Sequence, residues 1–297
     1  MTWYALLGAL EQGLVFGIMA LGVYLTFRIL NFPDLTVDGS LPLGAGISAV
    51  AISRGMDPYL SLVLAFGAGY LAGMVTGILN TKLKILHLLA SILTMIALYS
   101  VNIRVMNGPN VSLLGADTVL DPVFSLGIPG YFASPLVFLF FVIIIVTGMA
   151  LFLYTEFGQA MLATGDNPQM ITTQGVNTHK MIILGVGLSN AMVALSGALV
   201  AQNQGAADVN MGVGTIVAGL ASVIVGETIF GGSSLLRSIV AVILGSIVYR
   251  LAIALALGLE LGGFSFTPSD LNLITAVLVV FALTMPQIKQ RLNLSRK

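Results

Sequence analysis

The sequence predicts an all-α protein that crosses a membrane many times. Of its 297 residues, 57% are hydrophobic and 8% are charged, and the mean hydropathy is +1.02. Such a composition cannot cover a water-exposed surface without large apolar patches. Long apolar runs recur along the chain, separated by Gly, Pro and polar residues. We therefore expect a single polytopic membrane domain over residues 1–297.

The apolar runs give the positions of the expected helices. A membrane-spanning helix needs about 20 predominantly apolar residues, and turn-forming residues mark where each run ends. We predict about nine transmembrane helices, with the second one discontinuous. They lie at residues 4–28, 35–52, 59–80, 86–105, 133–154, 180–202, 213–230, 237–258 and 270–286.

The basic residues predict the orientation. If the C-terminal tail KQRLNLSRK is cytoplasmic, most Lys and Arg residues lie at or near the inner side, as the positive-inside rule requires. The N-terminus is then outside, and two long loops face opposite sides, residues 107–132 outside and 155–179 inside. Both loops are candidates for docking partners. The inner set is Arg28, Lys82, Lys84, Lys180, Arg237, Lys289, Arg291, Arg296 and Lys297.

The stretch NFPDLTVDGSLPLG interrupts the apolar pattern directly after the first run. Pro33 and Pro42 lack a backbone N–H donor and aspartates favour helix ends, so irregular backbone is expected here. Such backbone at membrane depth must be buried in protein or line a watery cavity. We assign Asp34, Thr36 and Asp38 to a translocation pathway, with helix capping as the alternative role of the aspartates.

A similar stretch, AADVNMGVGTIVAG, follows the sixth run. Asp208 comes 174 positions after Asp34, and the same offset brings the start of the first run close to that of the sixth. The two stretches then face opposite sides of the membrane, as in an inverted repeat. We predict such a repeat, with two unrelated Gly/Asp turns as the alternative. Gln202, Asp208 and Asn210 are placed on the outer part of the pathway, although a polar helix end also explains Gln202.

The inner loop, YTEFGQAMLATGDNPQMITTQGVNTHK, predicts a compact segment. A short helix over residues 158–164 breaks at GDNP and resumes as QMITTQG. Its small residues leave a narrow surface that fits a partner's groove, and Met161, Leu162 and Met170 offer apolar anchors. A folded connector without a partner is the alternative.

The sequence argues against several kinds of chemistry. Cysteine is absent and His87 and His179 stand far apart, so a thiol nucleophile is excluded and a metal cluster is not expected. There is no G-x-x-x-x-G-K-[ST] motif for nucleotide phosphates. A net charge of zero gives no sign of a nucleic-acid partner. We expect neither catalysis nor a cofactor.

The inner loop also resembles part of a known family. TEFGQAMLATGDNPQMITTQGVN is similar to the cytoplasmic coupling segment of permease subunits in the branched-chain amino acid and ribose class (type II) of bacterial ABC importers. ALEQGLVFGIMALGVYLTFRILNFPDLTVDG and GLASVIVGETIFGGSSLLRSIVAVILGSIV look like the opening span and the late helix pair of that family. The loop residues that match are Gly158, Ala160, Ala163, Gly165, Asn167, Gly175 and Asn177.

The resemblance implies a permease subunit in the bacterial cytoplasmic (inner) membrane. Its partners would be cytoplasmic ATP-binding subunits, an extracytoplasmic solute-binding protein and a second permease copy, identical or similar. The matching loop residues would couple to the ATPases, and Glu227 is a further candidate or a simple interfacial carboxylate. FPDLTVDGS and QGAADVNMGVG look closest to a subgroup linked with tryptophan or other aromatic amino acids, so the implied solute is an aromatic or branched-chain amino acid.

An ion-coupled secondary transporter or channel is the rival class. Broken helices and intramembrane carboxylates suit ion-coupled transport as well. The pattern of the inner loop is the sequence feature that favours the ABC importer.

Overall fold

The computed structural model describes residues 3–125, 129–231 and 234–257, together with 260, 261, 264, 265, 276, 277, 280 and 284. Over these residues the protein is mainly helical. The helices are α1 (Trp3–Tyr24, continued by a π-helical turn at Leu25–Ile29), α2 (Val37–Ser53), α3 (Pro58–Thr81), α4 (His87–Met106), α5 (Asp121–Phe124), α6 (Gly130–Tyr154), α7 (Glu156–Asp166), α8 (Pro168–Thr173), α9 (Thr178–Gln204), α10 (Thr215–Phe230) and α11 (Leu235–Leu257). The strands are β1 (Asn110–Ser112), β2 (Ala206–Asp208), β3 (Glu260–Leu261) and β4 (Phe264–Ser265).

The helices confirm the polytopic membrane class. Among the described residues, six helices are long and apolar enough to cross a membrane, namely α1 with its π-helical turn, α3, α4, α6, α9 and α11. The helices α2 and α10 are apolar but shorter. Eight of the nine predicted runs therefore coincide with apolar helices. The ninth, 270–286, lies almost wholly outside the described residues.

The two longest central helices, α1 and α9, run antiparallel. The Ser189 hydroxyl donates to the Gly22 carbonyl at 2.7 Å, and the Ser196 hydroxyl donates to the Val15 carbonyl at 2.8 Å. Residue numbers therefore increase along α9 as they decrease along α1. Hydroxyl-to-carbonyl bonds of this kind join membrane helices where their backbones come close.

Glycines allow the other helices to approach this central pair. A Cβ on Gly69 or Gly73 of α3 would overlap backbone carbonyls of α9, and one on Gly13 of α1 would overlap Ile247 of α11. The helix α9 also packs on α2, and α1 packs on α10. The helix α1 thus packs against α10 and α11, and α9 packs against α2 and α3.

The second helix is not discontinuous, and the prediction of a break within it is wrong. The helix α2 runs from Val37 to Ser53 through Pro42. Proline removes one hydrogen bond, the one to the Asp38 carbonyl in the first turn, and the later turns keep their bonds. The irregular backbone lies before α2, at residues 30–36, where the chain leaves the π-helical turn.

This irregular segment places the start of α2 deep inside the bundle. The Ser40 hydroxyl donates to Oδ1 of Asn190 at 2.7 Å, and Asn190 is the thirteenth of the 27 residues of α9. The helix α10 begins beside the same turn of α2, because Gly212 packs against the Asp38 carbonyl. The N-termini of the two short helices therefore meet about halfway along α9.

Candidate translocation pathway and coupling segment

Asp38, in the first turn of α2, caps the N-terminus of α10. Its Oδ1 accepts hydrogen bonds from the Ile216 backbone N–H at 2.8 Å and the Thr215 hydroxyl at 3.0 Å. Its Oδ2 accepts from the Gly214 backbone N–H at 3.1 Å. The first N–H groups of a helix lack partners within the helix, and its N-terminal end carries partial positive charge. A carboxylate of α2 thus joins the two short helices at their N-termini.

Asp34 and Thr36 are enclosed in this structure. Asp34 is only 2% exposed. Its Oδ1 accepts from the Thr36 backbone N–H at 2.9 Å, and its Oδ2 accepts from Nδ2 of Asn190 at 2.7 Å. The hydroxyls of Thr36 and Thr76 lie 2.8 Å apart. These predicted pathway residues form a polar cluster that joins α2, α3 and α9.

The second aspartate turn lies nearer the surface. Oδ1 of Asp208 accepts from the Asn210 backbone N–H at 2.7 Å, and Asn210 is exposed. Strand β2, which ends at Asp208, pairs antiparallel with β1, so that Asp208 lies opposite Asn110. The predicted outer loop is therefore attached to the segment that follows α9.

A cavity of about 440 Å³ lies beside the meeting point of the short helices. Of the predicted pathway residues, Asp38 and Asn210 line it. Sequence reasoning missed Asn102, although a polar residue inside an apolar run is itself a signal of function or helix packing. The lining residues are Asp38, Gly39, Pro42, Met95, Ile96, Tyr99, Ser100, Asn102, Val209, Asn210 and Val213.

Gln202 lies away from this cavity and is buried. Its Nε2 donates to the hydroxyls of Ser48 and Ser61 at 3.0 and 3.1 Å. Its Oε1 accepts from the Val119 backbone N–H at 3.0 Å. In this structure Gln202 holds the predicted outer loop against α2 and α3.

The inner loop folds as two short helices, as predicted. The Thr155 side chain caps α7 by accepting from the Gly158 N–H at 3.3 Å, and Asn167 caps α8 by accepting from the Met170 N–H at 3.0 Å. Gly175 follows α8 with a φ of +88°, a conformation that favours glycine. Local capping and turn chemistry thus account for the shape of the segment.

Two of the small loop residues face the protein itself. A Cβ on Gly165 would overlap the Ile29 carbonyl oxygen, and one on Gly158 would overlap the Phe152 carbonyl oxygen. The expectation that these glycines form a surface for a partner is therefore wrong, because their missing side chains make room for the chain's own backbone. Ala160 and Ala163 are half-buried, whereas Asn167 and Gly175 are exposed.

Exposed apolar side chains do occur on this segment. Phe157 on α7 is 63% exposed and Met170 on α8 is 48% exposed. Glu227, near the end of α10, accepts from Nε of Arg28 at 2.9 Å. Arg28 belongs to the π-helical turn against which Gly165 packs, so the ion pair lies at the same end of the bundle as α7.

Comparison with known proteins identifies the family. Residues 5–284 match the family described as the permease component of branched-chain amino acid transport systems. The chain belongs to this family. The permease is 39% identical over 275 residues to the tyrosine transport system permease protein of Clostridioides difficile (strain R20291), covering 93% of this chain and 89% of the relative. The predicted family is confirmed.

More distant proteins share parts of the sequence or the fold. The permease is 28% identical over 191 residues to the ribose import permease protein RbsC of Bacillus subtilis (strain 168), covering 64% of this chain and 58% of the relative. Its fold matches that of PsaBC from Streptococcus pneumoniae in complex with Fab, with a TM-score of 0.52 and 16% identity over 95% of this chain and 91% of the other. The permease is thus a multi-pass inner-membrane subunit of an ABC transporter, and ATP hydrolysis belongs to a separate subunit.

Proposed function

We propose that the permease imports a small solute, an aromatic or branched-chain amino acid, and that separate cytoplasmic ATPases drive the import. The observation that carries the proposal is the 39% identity to a tyrosine transport permease over 93% of this chain. The family description, which names branched-chain amino acid transport, supports the same class of solute. An extracytoplasmic binding protein delivers the solute to the outer face.

An inverted repeat supplies the alternating access. The helices α9, α10 and α11 start 175, 178 and 177 residues after α1, α2 and α3. The antiparallel course of α1 and α9 and the exchanged packing between the halves support this proposal. Rocking of one half against the other opens the pathway to each side in turn. The N-terminus then lies outside and the C-terminus in the cytoplasm.

The pathway runs past the N-termini of α2 and α10. Transporters commonly place the solute site near the middle of the membrane, beside helix ends that meet at the interface of two repeats. Asp38 and Asn210 line it in the conformation described here, because both border the cavity. Asp34, Thr36, Gln202 and Asp208 lie on elements that move relative to this cavity as the halves rock. A second permease copy encloses the pathway from the other side.

The α7–α8 segment couples the permease to its ATPases. Phe157 and Met170 supply exposed apolar side chains for a groove on the ATPase, with Ala160, Ala163, Asn167 and Gly175 beside them. The backbone contact between Gly165 and Ile29 transmits movement of the segment to the π-helical turn. Glu227 reaches the same turn through Arg28.

Uptake into proteoliposomes tests the proposed function. The permease is reconstituted with its cognate ATPase and binding protein, and uptake of labelled L-tyrosine, L-leucine and ribose is measured. We expect uptake of an amino acid that depends on ATP on the ATPase side. Uptake by the permease alone, driven by a proton or sodium gradient, would instead identify a secondary transporter.

A substitution on α8 tests the coupling segment. Met170→Asp places a charge on the exposed apolar surface and should reduce co-purification of the ATPase. Gln169→Asp adds the same charge at the neighbouring exposed position and is the matched control. Unchanged ATPase binding by a folded Met170→Asp permease would show that the α7–α8 segment is a connector without a partner.

A further inference from the structure

The cavity beside the short helices contains a buried acceptor without a partner. Asn102 on α4 is only 1% exposed. Its Nδ2 donates to the Gly39 carbonyl at 3.1 Å, and its Oδ1 has no hydrogen-bond partner among the described residues. The bond to Gly39 determines which end of the amide is the oxygen. A buried acceptor without a donor costs free energy, so a water or a bound molecule that supplies an N–H would stabilise it.

The nearby carboxylate is already bonded to the other short helix. Both oxygens of Asp38 accept hydrogen bonds from the first turn of α10. The backbone N–H of Gly214 is engaged by that carboxylate, and so is the N–H of Ile216. Among these groups, Oδ1 of Asn102 is the buried side-chain acceptor that has no hydrogen-bond partner among the described residues.

The remaining walls of the cavity are mostly apolar. Met95, Tyr99 and Asn102 are spaced at four and then three residues, so they share one face of α4. Pro42 of α2 and Val213 lie across from them. A volume of about 440 Å³ lies in the usual range for a small-molecule site, roughly 300–1,000 Å³. Apolar walls with a few polar groups are also typical of such sites.

We propose that this cavity is a solute-binding site in which Asn102 and Tyr99 determine specificity. Oδ1 of Asn102 accepts an N–H from the ammonium group of an amino acid. The Tyr99 ring packs against the apolar or aromatic side chain of the same solute, since aromatic rings favour such contacts. This inference rests on the proposed function and specifies which residues recognise the solute. A lipid chain would fill the apolar walls and leave Asn102 without a donor.

Protection of a single cysteine tests the site directly, without the binding protein. The natural chain has no cysteine, and Ser100 lines the cavity with an exposed side chain. The full-length Ser100→Cys permease in nanodiscs is labelled with a water-soluble maleimide. L-Tyrosine or L-leucine at a few times its Kd should slow labelling about threefold or more, in proportion to occupancy. Tyrosine lacking its amino group should protect much less.

Matched variants assign the effect to Asn102. Asn102→Leu should abolish protection, and thermal unfolding of the variant shows whether the loss of the bond to Gly39 has altered the fold. Asn80→Leu is the control, because Asn80 also donates its Nδ2 to a backbone carbonyl, that of Ile85 at 2.8 Å, and does not line the cavity. Tyr99→Ala changes a half-exposed ring and should remove the advantage of tyrosine over alanine as a protecting solute.

The outcomes separate this inference from the proposed function. ATP-dependent amino acid uptake without cysteine protection would overturn the site and leave the importer in place. Protection by deaminated tyrosine equal to that by tyrosine, or protection that survives both Asn102→Leu and Tyr99→Ala, would also overturn it. A cysteine that stays unlabelled under all conditions would show that lipid or a second permease copy fills the cavity. Ribose protecting as well as tyrosine would contradict the recognition of an amine.

Discussion

The turns at Asp34 and Asp208 have the same local structure and different surroundings. Each aspartate accepts a hydrogen bond from the backbone N–H two residues later, at 2.9 and 2.7 Å, and each turn precedes a short apolar helix. Asp34 is buried and also bonds to Asn190, whereas Asp208 is half-buried at the end of a surface strand. The same local turn therefore belongs to the helix-packing core at Asp34 and to the protein surface at Asp208.

The difference follows from the helices around each turn. Asp34 lies where α2, α3 and α9 pack together, so its carboxylate must satisfy buried donors. Asp208 lies against strand β1 of the outer loop, where water can satisfy the same groups. The first half should therefore be more sensitive to substitution than the second.

The largest expected effect tests how closely the first half packs on α9. Gly69→Leu places a side chain where even a Cβ would overlap the Asn190 carbonyl, so we expect a loss of stability of more than about 4 kcal/mol, or no folded protein. Gly67→Leu, two residues earlier on α3, meets open space and should unfold like the natural protein. Yield and thermal unfolding in detergent check both, and equal behaviour would mean that α3 and α9 are not tightly packed.

The next effect compares the two aspartates directly. Asp34→Ala leaves the Thr36 N–H and the Asn190 amide without their acceptor and should cost about 3 kcal/mol of unfolding free energy. Asp208→Ala removes a partly hydrated cap and should cost less than about 1 kcal/mol. Denaturant unfolding measures both, and a larger loss at Asp208 would reverse the comparison.

A smaller effect concerns the link between the halves at Asp38. Asp38→Ala removes the cap of α10 and should cost about 1–2 kcal/mol. Amide hydrogen exchange should quicken in the first turn of α10, on the other half of the chain. Asp57→Ala removes a cap that α3 receives from its own flank, at 2.8 Å to the Tyr59 N–H, and should affect α3 alone. Exchange confined to α2 after Asp38→Ala would exclude the link.

The smallest effect is expected at the Arg28–Glu227 pair. Arg28 is largely exposed, so solvent screens the attraction, and a double-mutant cycle with Arg28→Gln and Glu227→Gln should give a coupling free energy below about 1 kcal/mol. The coupling should weaken at high salt. A coupling of several kcal/mol would show that this end of the bundle is as tightly closed as the core around Asp34.

Much of the fold could be predicted because it depends on local properties. The apolar run at 59–80 became α3 (Pro58–Thr81), and the run at 86–105 became α4 (His87–Met106), since run length and turn residues lie within a few positions of each helix. The inner loop likewise formed two helices because Asn167 and Pro168 stop one and start the next. The loop pattern and the first span also identified the family.

The candidate site could be predicted only in part. The pattern around Asp38 and Asn210 pointed to a pathway, and both residues line the cavity. The neighbouring sequence did not distinguish Asp38 and Asn210 from Asp34 and Thr36. The latter two are enclosed, with Asn190 and Thr76 as their partners. The sequence predicted Gly165 to be a surface residue. Its contact with Ile29 joins positions far apart in the chain, so the local sequence could not indicate it.

The sequence by itself determined the membrane class, the approximate helix bounds and the family, since hydrophobicity and motif spacing depend only on residues that are close together in the chain. Only the tertiary structure decided which polar groups are satisfied. Asn102 donates one bond, to Gly39 on another helix, and its Oδ1 has no partner among the described residues because of how α2 and α4 meet. Burial and hydrogen bonding are properties of pairs of groups, and the partners here come from distant parts of the chain.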